Sequence, residues 1–134
     1  LLAQCGIDLD THRGEIASGN LSSLRGCPFV LGSAEDIGGR IGRGLLRSSG
    51  VSPVSKATSE NVETLLALCE QGVGACFCPE NLLHTALSPA QLAHLHILPL
   101  CPEASYPICF GYLSRSYPWS VLSEFIRIAR EQTA

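Results

Sequence analysis

Thr58-Ser59-Glu60-Asn61-Val62-Glu63-Thr64-Leu65-Leu66-Ala67-Leu68-Cys69-Glu70-Gln71-Gly72-Val73-Gly74-Ala75-Cys76-Phe77-Cys78-Pro79 is the most legible stretch of this chain. Val62, Leu65, Leu66, Cys69 and Val73 recur at helical spacing, so one side of the segment is apolar. Thr58 or Ser59 is expected to cap the helix, with Glu60 and Glu63 in a first turn whose dipole favours acids. Gly72 stands where a helix C-terminus needs it. Ala75 to Cys78 then reads as a buried strand stopped by Pro79.

Upstream, Val51 to Ala57 alternates like a strand but contains Pro53, which suits an edge. Ser33 to Ser49 carries Ile37, Ile41 and Leu45 at intervals of four and reads as a helix capped by Ser33. Gly38, Gly39, Gly42 and Gly44 lie inside it, each costing about 0.5–1 kcal/mol relative to alanine, so packing must hold this helix. Pro28-Phe29-Val30-Leu31 is a short apolar run between glycines, a buried strand. One helical turn precedes it at 21–26, and the polar sequence before that reads as a connecting segment or loop. Downstream, short helices are expected over Pro79 to Thr85 and from Ser88-Pro89, then a strand over Pro107 to Leu113. Pro118 opens a last helix with Val121, Leu122, Phe125, Ile126 and Ala129 as its stripe. Alternating strands and helices imply an α/β fold with a largely parallel sheet.

The 134 residues suffice for one domain, and 46% hydrophobic against 16% charged residues is a globular balance. The chain starts at Leu1 and contains no methionine, so it is expected to be a piece of a longer protein. With a net charge of −3 and one Lys and eight Arg scattered along it, the stretch lacks the cationic patch that displaces phosphate counterions. The densest group is Arg40, Arg43 and Arg47. No apolar run approaches the ~20 residues of a membrane span, and no signal peptide is visible. Seven cysteines, an odd number without paired spacing, read as reduced thiols in a cytoplasmic protein, and Asn20-Leu21-Ser22 as a chance sequon.

The glycines at 39, 42 and 44 make neither G-x-G-x-x-G nor a P-loop, and no G-x-S-x-G is present. Cys76 and Cys78 fall on one face of the expected strand. A metal or redox pair is one reading. Small core hydrophobes is the favoured one, because zinc sites show C-x2-C spacing with further ligands. His84, His94 and His96 have no partner at ligand spacing and read as solvated surface. No catalytic residue, metal or cofactor is expected.

The stretch quoted first resembles the signature of LysR-type transcriptional regulators: a capped helix, a G-x-G turn, a short apolar strand and a proline. Leu24-Arg25-Gly26-Cys27-Pro28-Phe29-Val30-Leu31 is similar to the strand opening that family's second effector subdomain. Leu98-Pro99-Leu100, Tyr112, Ser114-Arg115 and Phe125-Ile126 resemble its tail, so the likeness covers 21–134. Ala75 and Cys78 depart from the family's larger aliphatics, and the glycine-rich helix is atypical. The resemblance implies a type II periplasmic-binding-protein fold with Rossmann-like subdomains. Residues 1–24 would be a connecting segment from subdomain I, 25–95 effector subdomain II, and 96–134 the return crossover and C-terminal helix of subdomain I. It also implies a homodimer, and DNA contact only through a winged helix-turn-helix absent from this stretch.

Ligands in open α/β sheets sit beyond the carboxyl ends of strands. Gly32 and Ser33 follow one strand, while Thr58, Ser59 and Asn61 precede the strongest helix, where N–H groups favour an anion. With the resemblance, Gly32, Ser33, Thr58, Ser59, Asn61 and Phe77 are the expected effector contacts. Ser33 and Ser59 read equally well as plain caps, and Phe77 as core. The function expected is a ligand-sensing regulatory domain. A solute-binding protein of the same fold, outside the membrane, is the alternative, and an enzyme using the cysteine pair a third.

Overall fold

The computed structural model describes residues 5–100, 104, 106, 107, 109, 111 and 119–133. Its elements are α1 (Leu9–Ala17), a 3-10 turn (Ser22–Leu24), β1 (Pro28–Gly32), α2 (Ile37–Ser48), β2 (Val54–Ser59), α3 (Val62–Glu70), α4 (Glu80–Ala86), α5 (Pro89–Leu92) and α6 (Ser120–Thr133). β1 and β2 form a parallel pair joined through α2, so the fold is mixed α/β with a small parallel sheet. The register runs from Pro28 opposite Val54 to Gly32 opposite Ser59, with an irregularity between Phe29 and Val30.

β1 is the buried centre. Phe29 and Leu31 point into a core with Ile16, Leu24, Leu46 and Val51, and Val30, on the opposite face by the period of a strand, is equally sealed. β2 is the expected edge: Val54, Ser55 and Lys56 are exposed. A second cluster of Leu66, Leu83 and Leu87 sits beneath α3 and α4.

Four expectations change. The first 24 residues are not all connection, because Leu9–Ala17 is helical. Asp8 caps it, accepting the Asp10 N–H at 3.1 Å and the Thr11 hydroxyl at 2.8 Å. Ile16 is its one buried residue, too little apolar sequence to show a period. Next, α2 is capped not by Ser33 but by Asp36, which accepts the Gly39 N–H at 3.1 Å. Likewise α3 is capped not by Thr58 or Ser59, which end β2, but by Asn61, which accepts the Thr64 N–H at 2.9 Å. In both places the carboxylate or amide nearer the helix wins, since a cap must sit one residue before the first helical dihedral. Finally, Ala75 to Cys78 is not a buried strand. Ala75 alone bridges to Phe29, exchanging bonds of 2.9 Å with Val30 and Pro28. Cys76, Phe77 and Cys78 then leave the ladder half-buried, as Phe77 turns to stack on Phe29 and Pro79 begins α4.

Other readings stand. Gly72 closes α3 at φ +75°, with its N–H on Cys69 O and that of Val73 on Leu68 O, a Schellman turn that a side chain would strain. Ser88 and Gln91 form a reciprocal capping box on α5. Most of the strand expected over Pro107 to Leu113, and Pro118 at the start of the last helix, lie outside the described residues. No helix among the described residues is long and apolar enough to cross a membrane.

The glycines of α2 divide by what surrounds them. A Cβ on Gly39 would meet the Gly32 and Ser33 backbone, and one on Gly42 would fall 2.4 Å from the Phe77 ring. Gly44 faces open space, with nothing within 4 Å of an added Cβ. Gly44→Ala is therefore expected to stabilise the protein by about 0.5–1 kcal/mol, read as a rise in the urea midpoint at unchanged slope.

Candidate functional site

Because β1 and β2 are parallel and Gly32 lies opposite Ser59, both strands end at one rim of the sheet. The turns that leave this rim are built alike. The Ser33 hydroxyl oxygen accepts the Glu35 N–H at 3.2 Å, and the Ser59 hydroxyl oxygen accepts the Asn61 N–H at 3.1 Å. Each serine thus shapes a tight turn, and a separate residue then caps the helix. Ser33 is buried at 7% exposure, Gly32 and Ser59 are half-buried, and Thr58 and Asn61 are exposed. Two helix N-termini, with their unsatisfied N–H groups, open beside one another at the carboxyl end of the sheet.

Five of the six expected site residues therefore gather on this rim. Phe77 does not join them. It stacks parallel to Phe29, with ring centroids 6.0 Å apart and planes 5° from parallel. It lines a cavity of about 530 Å³ whose wall includes none of the other five.

Two rim residues escaped sequence reasoning. Arg43, on the second turn of α2, reaches back so that its Nη2 donates to the Gly32 carbonyl at 3.1 Å, while its buried Nε has no hydrogen-bond partner among the described residues. The spacing of Arg43 and Arg47 on one helix face was the available signal; both border a second recess of about 440 Å³ beside Val51 and Pro53. The Glu35 carboxylate accepts a hydrogen bond from the Ser33 hydroxyl at 2.5 Å. That bond, then the Glu35 N–H, hold its carboxyl below the usual carboxylate range. A carboxylate already rests at this rim.

Elsewhere, His84, His94 and His96 are exposed. Cys69, Cys76 and Cys78 line the 530 Å³ cavity together.

The family model described as LysR substrate binding domain matches residues 13–134. The chain belongs to the LysR substrate-binding domain family. No curated protein and no solved structure matches it. LysR substrate-binding domains have a type II periplasmic-binding-like fold and are ligand-binding regulatory domains, not catalytic ones. The parallel β1–α2–β2 unit fits such a LysR domain.

Proposed function

We propose that this domain senses a small anionic effector, a carboxylate by preference, for a LysR-type DNA-binding transcription regulator. The observation that carries the reading is the pairing of Gly32 with Ser59, which brings the Ser33 and Ser59 turns side by side. Glu35 supports the choice of anion, since its own carboxylate accepts a hydrogen bond from the Ser33 hydroxyl there, with Arg43 bonded to the preceding carbonyl, that of Gly32. In this reading Gly32, Ser33, Thr58, Ser59 and Asn61 contact the effector, and Phe77, which lines the separate cavity, does not.

The wider arrangement follows the family. Residues 25–95 serve as effector subdomain II, 1–24 connect to subdomain I, and 96–134 return into it, with the ligand in the cleft between. Binding biases closure of the two subdomains. The change passes to a winged helix-turn-helix outside this stretch, in a cytoplasmic homodimer whose α3 faces the partner subunit. Scattered arginines and one lysine support leaving DNA to that other module.

The test uses the full-length protein and a panel of mono- and dicarboxylates in a thermal-shift screen. For the carboxylate that stabilises most, Ser59→Ala is expected to weaken binding about tenfold, the worth of one hydrogen bond to a charged group. The melting temperature of the free protein changes little, because the lost Asn61 contact is at the surface. Glu35→Gln removes the competing charge and tightens the same ligand several-fold. Equal affinity of wild type and Ser59→Ala by titration calorimetry, or no carboxylate that stabilises at all, sinks the reading.

A further inference from the structure

The cavity of about 530 Å³ is a different place from the rim, and its wall carries a chemistry the rim lacks. α3 contributes Cys69, and the segment leaving it contributes Cys76 and Cys78, so three thiols share one apolar hollow with Ile41, Leu66 and Phe77. All three cysteines are half-buried and free. The volume lies in the range of small-molecule pockets, roughly 300–1,000 Å³.

The thiols are not equivalent. Hydrogen bonding from the Cys76 thiol lowers Cys69 to about 7, against the opposing effect of burial. Cys78 is lowered by the same neighbour, and Cys76, facing both, is pushed up and keeps its proton. Glu80, His96 and Tyr106 also border the hollow. Cys27 shows the contrast: burial, then Cys5, raise it to about 11, an inert core thiol.

We propose that Cys69 is a covalent capture site for an apolar soft electrophile of the α,β-unsaturated carbonyl class. The Cys69 Sγ thiolate attacks the β-carbon, forming an S–C bond as the C=C π bond breaks. The electron pair passes to the conjugated carbonyl as an enolate, and the α-carbon takes a proton from water, leaving a hydroxide that the buffer neutralises. The Cys76 thiol keeps its proton and serves only to hold Cys69 as the thiolate. No electron is gained or lost overall. The apolar wall separates this class from rivals: a hydroperoxide is small and polar and has no use for Ile41, Leu66 and Phe77. Among the described residues no group of three His, Cys, Asp or Glu side chains could hold a metal ion.

The experiment follows alkylation of the reduced full-length protein by peptide mass mapping, with exposed Cys109 as internal reference. N-phenylmaleimide, apolar and of the right class, is compared with iodoacetate, small and charged. At pH 6.5 the maleimide is expected to modify Cys69 at least about tenfold faster than Cys109, from thiolate fraction and local enrichment together. Iodoacetate, which gains from the thiolate fraction alone and is disfavoured by its charge at the apolar wall, should show a several-fold smaller preference. The Cys69 rate should inflect near pH 7; Cys76→Ala slows it several-fold at pH 6.5, and Cys76→Ser, which restores a donor, recovers it. Ser59→Ala, which disables the proposed effector rim, leaves this labelling unchanged, so the two proposals fail separately. Cys109 outpacing Cys69 in the wild type overturns the proposal even if the Cys76 variants do not fold. So does a Cys76→Ala protein with unaltered Cys69 kinetics.

Discussion

Gly39→Ala is expected to destabilise this domain by about 3 kcal/mol or more, at or beyond the upper end of ordinary overpacking. The added Cβ would sit 1.9 Å from the Ser33 carbonyl oxygen, 2.8 Å from Gly32 C and 2.9 Å from Gly32 O. All three are backbone atoms, so no rotamer change relieves the clash. Either α2 lifts away from the end of β1 or the turn at Ser33 deforms, and both break the contact that holds a glycine-rich helix in place. Helix propensity alone argues the opposite sign, since alanine stabilises an open helix interior by about 1 kcal/mol. The pair Gly39→Ala and Gly44→Ala thus separates packing from propensity within one helix. Urea unfolding followed by circular dichroism reads both; an unchanged or raised midpoint for Gly39→Ala would show that α2 does not lie against Gly32.

Phe29→Ala is expected to cost roughly 3–5 kcal/mol, a large part of the 5–15 kcal/mol typical of a whole domain. Phe29 is 1% exposed, sits in the strand that, of the two described, is covered on both faces, and stacks on Phe77, which in turn fills the space left by Gly42. Truncating it removes that buried ring and leaves a void bounded by β1, α2 and the segment after α3, elements held apart by their own backbones. Phe29→Leu, which keeps most of the volume, should recover more than half of the loss. A midpoint for Phe29→Ala within about 1 kcal/mol of wild type in urea would mean the stack is not part of the core.

How far the sequence was legible depended on whether each signal was local. α3 was readable because Val62, Leu65, Leu66 and Cys69 spell its period and Gly72 its end. β1 was readable as an apolar run between glycines. α1 was not, since a helix with one buried residue has no period to detect. Cap positions slipped because Ser33 and Ser59 look like caps and in fact make the turn before one. Ala75 to Cys78 looked like a strand because apolar residues in sequence do not distinguish a paired ladder from coil packed on a ring.

The rim was legible for a topological reason: parallel strands put their carboxyl ends together whatever the side chains are. Its charges were not. Arg43 reaches across eleven positions to Gly32, and Glu35 folds back on Ser33, contacts that no periodicity encodes. Phe77 was assigned to the rim by analogy, and the aromatic stack carried it to the cavity.

On the proposed reading, the interlock of Gly39 with Gly32 also bears on how news of an effector bound at the rim would leave it. With no side chain between helix and strand, there is no soft layer to absorb a shift at Ser33. α2 must then behave as a stiff rod of twelve residues, about 18 Å long, turning any tilt at its mouth into a displacement at its far end. Near that end Leu46 is fully buried in one cluster with Ile16 and Val51, so the domain's own interior would be the first receiver of the message.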